Sequence, residues 1–214
     1  MMISYATGRQ LTLRKPYKAH RRGNIYRGLL WAEVERRGFA DRVMTVINRL
    51  AGGDQARAAE ARVELMTYWS FEINRRATSR FGLCSSPAPL RPNGAVEVSE
   101  VLLRPENAAQ FEQTFLHEVA HALVNIFFVR TRRGPVAGHG REWRHVMVLL
   151  GLRPDRCATG DNAAGEELRA RKMAKAQHVY ACTRCSVQIP RTRLLNMSKV
   201  YHHRGCGGRI VLVA

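Results

Sequence analysis

Apolar residues recur at helical spacing through most of this chain and alternate with polar ones in only a few short runs, so the elements can be set down in order. Leu29, Leu30 and Val34 share one side of a short helix within 24–38. Val43, Met44, Val46, Ile47 and Leu50 carry the pattern over 41–50, and Gly52-Gly53 stops it. Asp54 is placed to cap the next helix, which the pattern predicts to run to about Ser79. Three prolines between Gly82 and Asn93 make a loop or hairpin. Val96, Val98, Val101 and Leu103 alternate with polar residues and predict a strand at the start of Ala95–Leu103. A long helix follows from about Asn107 to Val129, then a basic, glycine-containing loop over 130–140, then a shorter helix from near Glu142 to Gly151. Residues 153–176 are polar and charged, a linker with some helix. From His178 the texture changes to short β-prone runs with paired Cys and Gly. Helices, a small sheet and more helix, in that order, predict an α+β fold rather than a doubly wound one.

Composition alters this picture in one respect. With 45% hydrophobic and 24% charged residues the chain is globular rather than disordered. Its longest nearly apolar stretch, Val119 to Val129, holds His121 and Asn125 and is too short and too polar to span a bilayer, so no membrane partner is expected. The net charge, however, is +18. Residues 1–40 carry nine Lys/Arg and two acids, residues 151–214 twelve and four, while 41–150 is nearly balanced. A near-neutral middle between two basic ends reads as a working domain flanked by polyanion-contacting segments, and the usual polyanion is nucleic acid. The alternative is a basic surface that only solubilises. No apolar stretch of a secretory signal follows the start, so a cytoplasmic location is expected.

The chemistry sits in two clusters. Residues 117–121 read His-Glu-Val-Ala-His, and residues four apart lie on one face of a helix, so His117 and His121 can share one metal ion. Glu118 lies beside them, where it can hold an attacking water and take its proton. The helix is otherwise apolar almost all round, with His117, His121 and Asn125 as its polar stripe; two hydrogen-bonded core histidines are the alternative reading. A catalytic zinc has three protein ligands and an open position. His139, in Gly-His-Gly, is the candidate third, and His145 its rival.

The second cluster is Cys182-Thr-Arg-Cys185 followed by His203-Arg-Gly-Cys206-Gly-Gly208. An odd count of five cysteines, three of them crowded together, does not make a disulfide framework. Paired x-x spacings aim two ligands each at one ion, so Cys182, Cys185, His203 and Cys206 read as a Cys₃His structural zinc ribbon, with His202 one residue too far from Cys206. A segment as short as 178–210 can hardly bury a core alone, so the metal would supply much of its folding free energy. Cys84 and Cys157 lack metal spacing and read as a packed core residue and a linker thiol.

Phe115 to Ala122 (Phe-Leu-His-Glu-Val-Ala-His-Ala), Gly138-His-Gly-Arg-Glu-Trp143 and His145-Val-Met147 together resemble the SprT-like metalloprotease family. Phe81-Gly-Leu-Cys-Ser85 and Val96-Glu-Val-Ser99 are similar to that family's Gly-x-Cys loop and the strand before its active helix. The resemblance covers about 65–214. It implies a zincin-like core with a C-terminal zinc ribbon, His117, His121 and His139 as zinc ligands, Glu118 as general base, and peptide hydrolysis near nucleic acid. The domains expected are then a basic arm and short helix at 1–38, a SprT-like domain at 39–165, a linker at 166–177 and a zinc-ribbon domain at 178–214. The expected function is a zinc endopeptidase with one catalytic and one structural Zn2+, acting on proteins at or crosslinked to DNA, single-stranded or structured, and associated with the nucleoid. The other class considered is a non-proteolytic, transcription-linked or nucleic-acid-binding zinc-ribbon protein. His145, Arg141 and Tyr68 are the oxyanion-donor candidates. Oligomeric state is left open.

Overall fold

The computed structural model describes residues 29–88, 93–129, 138–155, 162–196 and 198–213. The basic arm expected at the start, most of the 130–140 loop and Cys157 lie outside the described residues. The chain falls into two compact units, Met1–Thr159 and Gly160–Ala214.

The first unit opens with α1 (Leu29–Arg36) and α2 (Phe39–Leu50), joined through Gly38 in the left-handed region. Asp54 caps α3 (Gln55–Tyr68) as expected, its carboxylate accepting the Arg57 backbone N–H at 3.1 Å. The helix does not continue to Ser79. It ends at Tyr68, and the chain passes directly into β1 (Trp69–Asn74), with Trp69 already extended. The reason lies in the side chains. Trp69, Phe71 and Ile73 alternate with Ser70 and Glu72, and five of the strand's six residues are buried. Ladder pairing and burial on both faces outweigh a local helical preference.

A second strand, β2 (Gly82–Ser85), forms a hairpin with β3 (Gly94–Ser99), and the sheet order is β1-β3-β2. The β1–β3 pair is parallel, Trp69 opposite Gly94, and the β2–β3 pair is antiparallel, Gly82 opposite Val98. Gly94 is required here: a Cβ would stand 2.4 Å from the Trp69 ring. Two short 3-10 turns then lead into α4 (Ala108–Val124). This helix carries Phe111, Phe115, Leu116, Val119 and Leu123 into the core, all fully buried, at about 1.5–3 kcal/mol per side chain. Phe115 lies 6.3 Å from Phe71 on the sheet and 6.1 Å from Phe111. The helical path expected as far as Val129 changes to a π-turn over Asn125–Val129. After the 130–137 stretch comes α5 (Arg141–Leu149), which packs on α4 and is closed off by Leu150 and Gly151, the latter at φ 71°.

In the second unit α6 (Ala163–Ala174) is capped by the Asn162 side chain, which accepts the Gly165 N–H at 2.9 Å. Most of the stretch expected as a linker, 166–177, is thus helix, with Leu168 buried. The three strands β4 (His178–Cys182), β5 (Gln188–Arg191) and β6 (Ile210–Leu212) form an antiparallel sheet with β4 in the centre. Tyr180 is its one large fully buried side chain, and its hydroxyl accepts the Leu195 N–H at 2.8 Å, tying the long loop after β5 back to β4. Helices and two small sheets make the chain α+β.

Candidate metal centres and cleft

The apolar surface of α4 leaves a stripe on which His117, His121 and Asn125 follow at intervals of four, one above the next. His139 comes from the Gly138–Gly140 turn just ahead of α5 and reaches back to this stripe. One nitrogen from each of the three imidazoles lies within 4.8 Å of the other two, and the Nε2 atoms of His117 and His139 are 3.2 Å apart. Ligands on a tetrahedral ion with Zn–N bonds of 2.0–2.1 Å sit about 3.4 Å from one another, so the three nitrogens fit a single zinc. Burial pushes the pKa of His117 and of His121 down to about 4, with the neighbouring imidazoles adding to the effect. Both rings are therefore neutral at pH 7, with a lone pair free for a metal.

Trp143, in the first turn of α5, is fully buried, with its ring centroid 4.7–5.6 Å from the three imidazoles. It walls the cluster from behind and restricts how the rings can turn. His145, two residues on, is about 200° further round the helix; it is exposed and outside the ligand cluster. Between the two candidates for third ligand, only His139 is brought to the site.

Glu118 points from α4 toward β2 and is 9% exposed. The approach depends on Gly82, where a Cβ would lie 2.7 Å from Thr114 Cγ2 and 2.8 Å from both Cγ and Oε1 of Glu118. Burial raises the Glu118 pKa to about 7, against the Cys84 backbone N–H, which donates to the carboxylate, and the Arg80 charge, both pulling it down; Glu97 pushes the same way as burial. A carboxyl poised near neutrality beside the neutral imidazoles of His117 and His121 suits proton transfer at physiological pH.

These groups line a cleft of about 440 Å³, bounded on one side by the β2 segment and on the other by the end of α4. Cys84, expected as a packed core residue, is half-buried and lines the cleft instead. His145, Arg141 and Tyr68, the oxyanion candidates, are not part of its lining. Arg80 and Gly82 line it too. Gly82 belongs to the Gly-x-Cys stretch that the sequence marks, whereas Arg80 carries no local signal; the hairpin brings both to α4.

The second cluster forms within the second unit. One ligand atom from each of Cys182, Cys185, His203 and Cys206 lies within 4.8 Å of the others. The Sγ atoms of Cys182 and Cys206 are 3.4 Å apart, and His203 Nδ1 is 3.3 Å from both Cys185 Sγ and Cys206 Sγ. The two knuckles are built alike, each followed by a residue at positive φ, Ser186 at 55° and Gly207 at 73°. Backbone N–H groups of Cys185 and Arg184 hold the Cys182 thiol down to about 6, which favours the thiolate that a metal needs. A Cβ at Gly208 would come within 2.5 Å of the Cys182 sulfur. His202 turns away, its Nδ1 3.0 Å from the Gly207 carbonyl, so His203 is the histidine in the cluster. Three sulfurs and one nitrogen in a closed set are the donor chemistry of structural zinc.

Among the described residues no helix is long and apolar enough to cross a membrane. Residues 54–159 match the model of the SprT-like family. That span contains the whole α4 stripe, Glu118, His139 and Trp143, and excludes the Cys₃His cluster. No curated protein matches the chain.

Proposed function

Because this chain belongs to the SprT-like family through residues 54–159, a metalloprotease-type family, we propose that it is a zinc-dependent endopeptidase with a zincin-like core, acting on proteins at or crosslinked to DNA. The observation that carries the reading is the convergence of three imidazoles with a buried carboxyl of near-neutral pKa in one open cleft.

His117, His121 and His139 would hold the zinc, which when bound polarises a scissile carbonyl and acidifies a water. Glu118 takes the water's proton and passes it to the leaving amine, which a pKa near the working pH permits in both directions. The Cys84 N–H orients the carboxylate while Gly82 lets the strand close on it. β2 is an edge strand beside the cleft; an extended peptide laid along it would be held by main-chain hydrogen bonds, largely independent of sequence. Trp143 keeps the imidazoles in place.

Cys182, Cys185, His203 and Cys206 would hold a second, structural zinc. The ten Lys/Arg that follow Glu167, with no acid among them, favour the second unit as a DNA-holding module, and single-stranded or structured DNA as its ligand. A nucleoid-associated, cytoplasmic location follows from the same reading. The test is a metal count by mass spectrometry on the wild type and His121→Ala. Two zinc atoms per chain falling to one support two separate sites; a wild type that purifies with none at the histidine cluster, even after zinc loading, contradicts the proposal.

A further inference from the structure

The cleft carries one charge that the proposed reaction leaves unused. Arg80 stands two residues ahead of β2 and lines the cleft together with Leu83, Glu118 and Asn125, near enough for its charge to act on Glu118. It is exposed and makes no hydrogen bond or ion pair among the described residues. Nearby Arg75, by contrast, is held by Glu100 at 2.9 Å. Among the described lining residues Arg80 is the one guanidinium or ammonium group and Glu118 the one carboxyl. The Glu118 carboxylate is engaged by the Cys84 N–H and has no ion pair with Arg80, although it feels the Arg80 charge. The guanidinium fork is thus left for something that enters the cleft.

We propose that Arg80 is a specificity-determining residue, taking the side-chain carboxylate of an Asp or Glu in the bound peptide close to the scissile bond; the inference rests on the peptidase reading and names its substrate preference. An extended peptide along β2 presents side chains about every 3.3–3.4 Å, alternately to either face, so one residue flanking the scissile bond faces Arg80. Guanidinium and carboxylate meet in a bidentate pair that an ammonium cannot match in geometry. A phosphodiester is the poorer occupant. Seated in the same cleft it would lie against the Glu118 carboxylate and fill the space the scissile peptide needs. A lysine side chain at that position meets like charge.

The test uses the full chain and acetylated, amidated peptides that differ only by Glu, Gln or Lys at one of the positions around the bond. Affinities are measured on Glu118→Gln, which retains the cleft, and kcat/KM on protein with Glu118 intact. At one position the Glu peptide should bind about tenfold more tightly than the Gln peptide, the size expected of a partly exposed charge-assisted pair, with Lys weaker still. Arg80→Ala should bring the Glu/Gln ratio to about one, Arg80→Lys should keep part of it, and Arg80→Glu should invert it in favour of Lys. The kcat/KM ratios should follow. A position-independent ratio near one, or a preference that survives Arg80→Ala, overturns the proposal. So does an Arg80→Ala protein that lowers kcat equally for every peptide, or weakens single-stranded DNA instead. A Gln peptide with a free C-terminus that gains the same affinity would move the carboxylate to the chain end and overturn the side-chain assignment. If the wild type cleaves none of the peptides, the peptidase reading fails, while the binding ratios still decide the role of Arg80.

Discussion

Substituting Gly82 by alanine should damage the cleft from the side opposite the imidazoles. The added Cβ would sit 2.7 Å from Thr114 Cγ2 and 2.8 Å from Cγ and Oε1 of Glu118, against about 3.5–4.0 Å for relaxed contact. Something must move by roughly 0.7 Å or more. β2 is tied to β3 along its length, and Thr114 is a buried residue of α4, so the freest group to yield is the Glu118 side chain. Overpacking of this size costs about 1–3 kcal/mol, or a melting point lower by roughly 3–12 °C in a unit of this size. A catalytic group displaced by about 1 Å costs on the order of 100-fold in rate. The histidine cluster, walled by Trp143, should keep its metal. The assay pairs calorimetry with kcat/KM measured well below the melting point and a metal count. Gly94→Ala is the control, because its Cβ would strike the Trp69 ring at 2.4 Å, away from Glu118. It should lose stability but keep the activity of its folded fraction. A Gly82→Ala protein within twofold of wild type in kcat/KM would refute the idea that the strand's close approach places the carboxylate.

Two further outcomes follow from the same geometry. In metal-free protein the folded state holds the Glu118 proton up to about pH 7, whereas an ordinary carboxyl releases it near 4.5; stability therefore falls as pH rises between those values, by about 3 kcal/mol. Metal-free Glu118→Gln should gain on metal-free wild type by that amount between pH 4.5 and 7.5 in urea titrations, and parallel curves would contradict it. His117 and His121, lowered to about 4, act the other way in both proteins: their contribution is present above about 6.5 and lost as pH falls through 4. Cys182→Ser should unfold the second unit, lower the zinc count by one and reduce the affinity for single-stranded DNA with a shallower salt slope, leaving the histidine-bound metal in place; DNA binding indistinguishable from wild type would remove that unit from the DNA-binding role.

Spacing made His117, Glu118 and His121 legible because a helix converts intervals of one and four into directions. The knuckles of the second cluster were legible for a similar reason, since each x-x interval is closed by its own turn. The end of α3 was not. Helical and alternating patterns overlap where Trp69, Phe71 and Ile73 follow Leu65 and Tyr68, and the choice is made by the distant β3, against which β1 buries nearly every residue. The cleft wall was illegible for the same cause. Nothing local marks Arg80 among 35 Lys/Arg as a neighbour of Glu118, and although Gly82 stands in the Gly-x-Cys stretch, its close approach to Glu118 comes from a hairpin paired in one register. The oxyanion candidates His145, Arg141 and Tyr68 rest on residue type alone, and the chain carries none of them to the cleft lining.

The central claim is that Glu118 moves the proton in a zinc-dependent peptide hydrolysis, and wild type against Glu118→Gln decides it. Both proteins, zinc-loaded and verified for metal content, are incubated with one DNA-binding protein substrate, with and without single-stranded DNA. Glutamine can still hydrogen-bond a water but cannot accept its proton, so Glu118→Gln should retain both zincs and bind DNA like wild type, yet cleave at least about 100-fold more slowly. A wild type that cleaves nothing, or a Glu118→Gln protein that cleaves at a comparable rate with its zinc in place, would contradict the account.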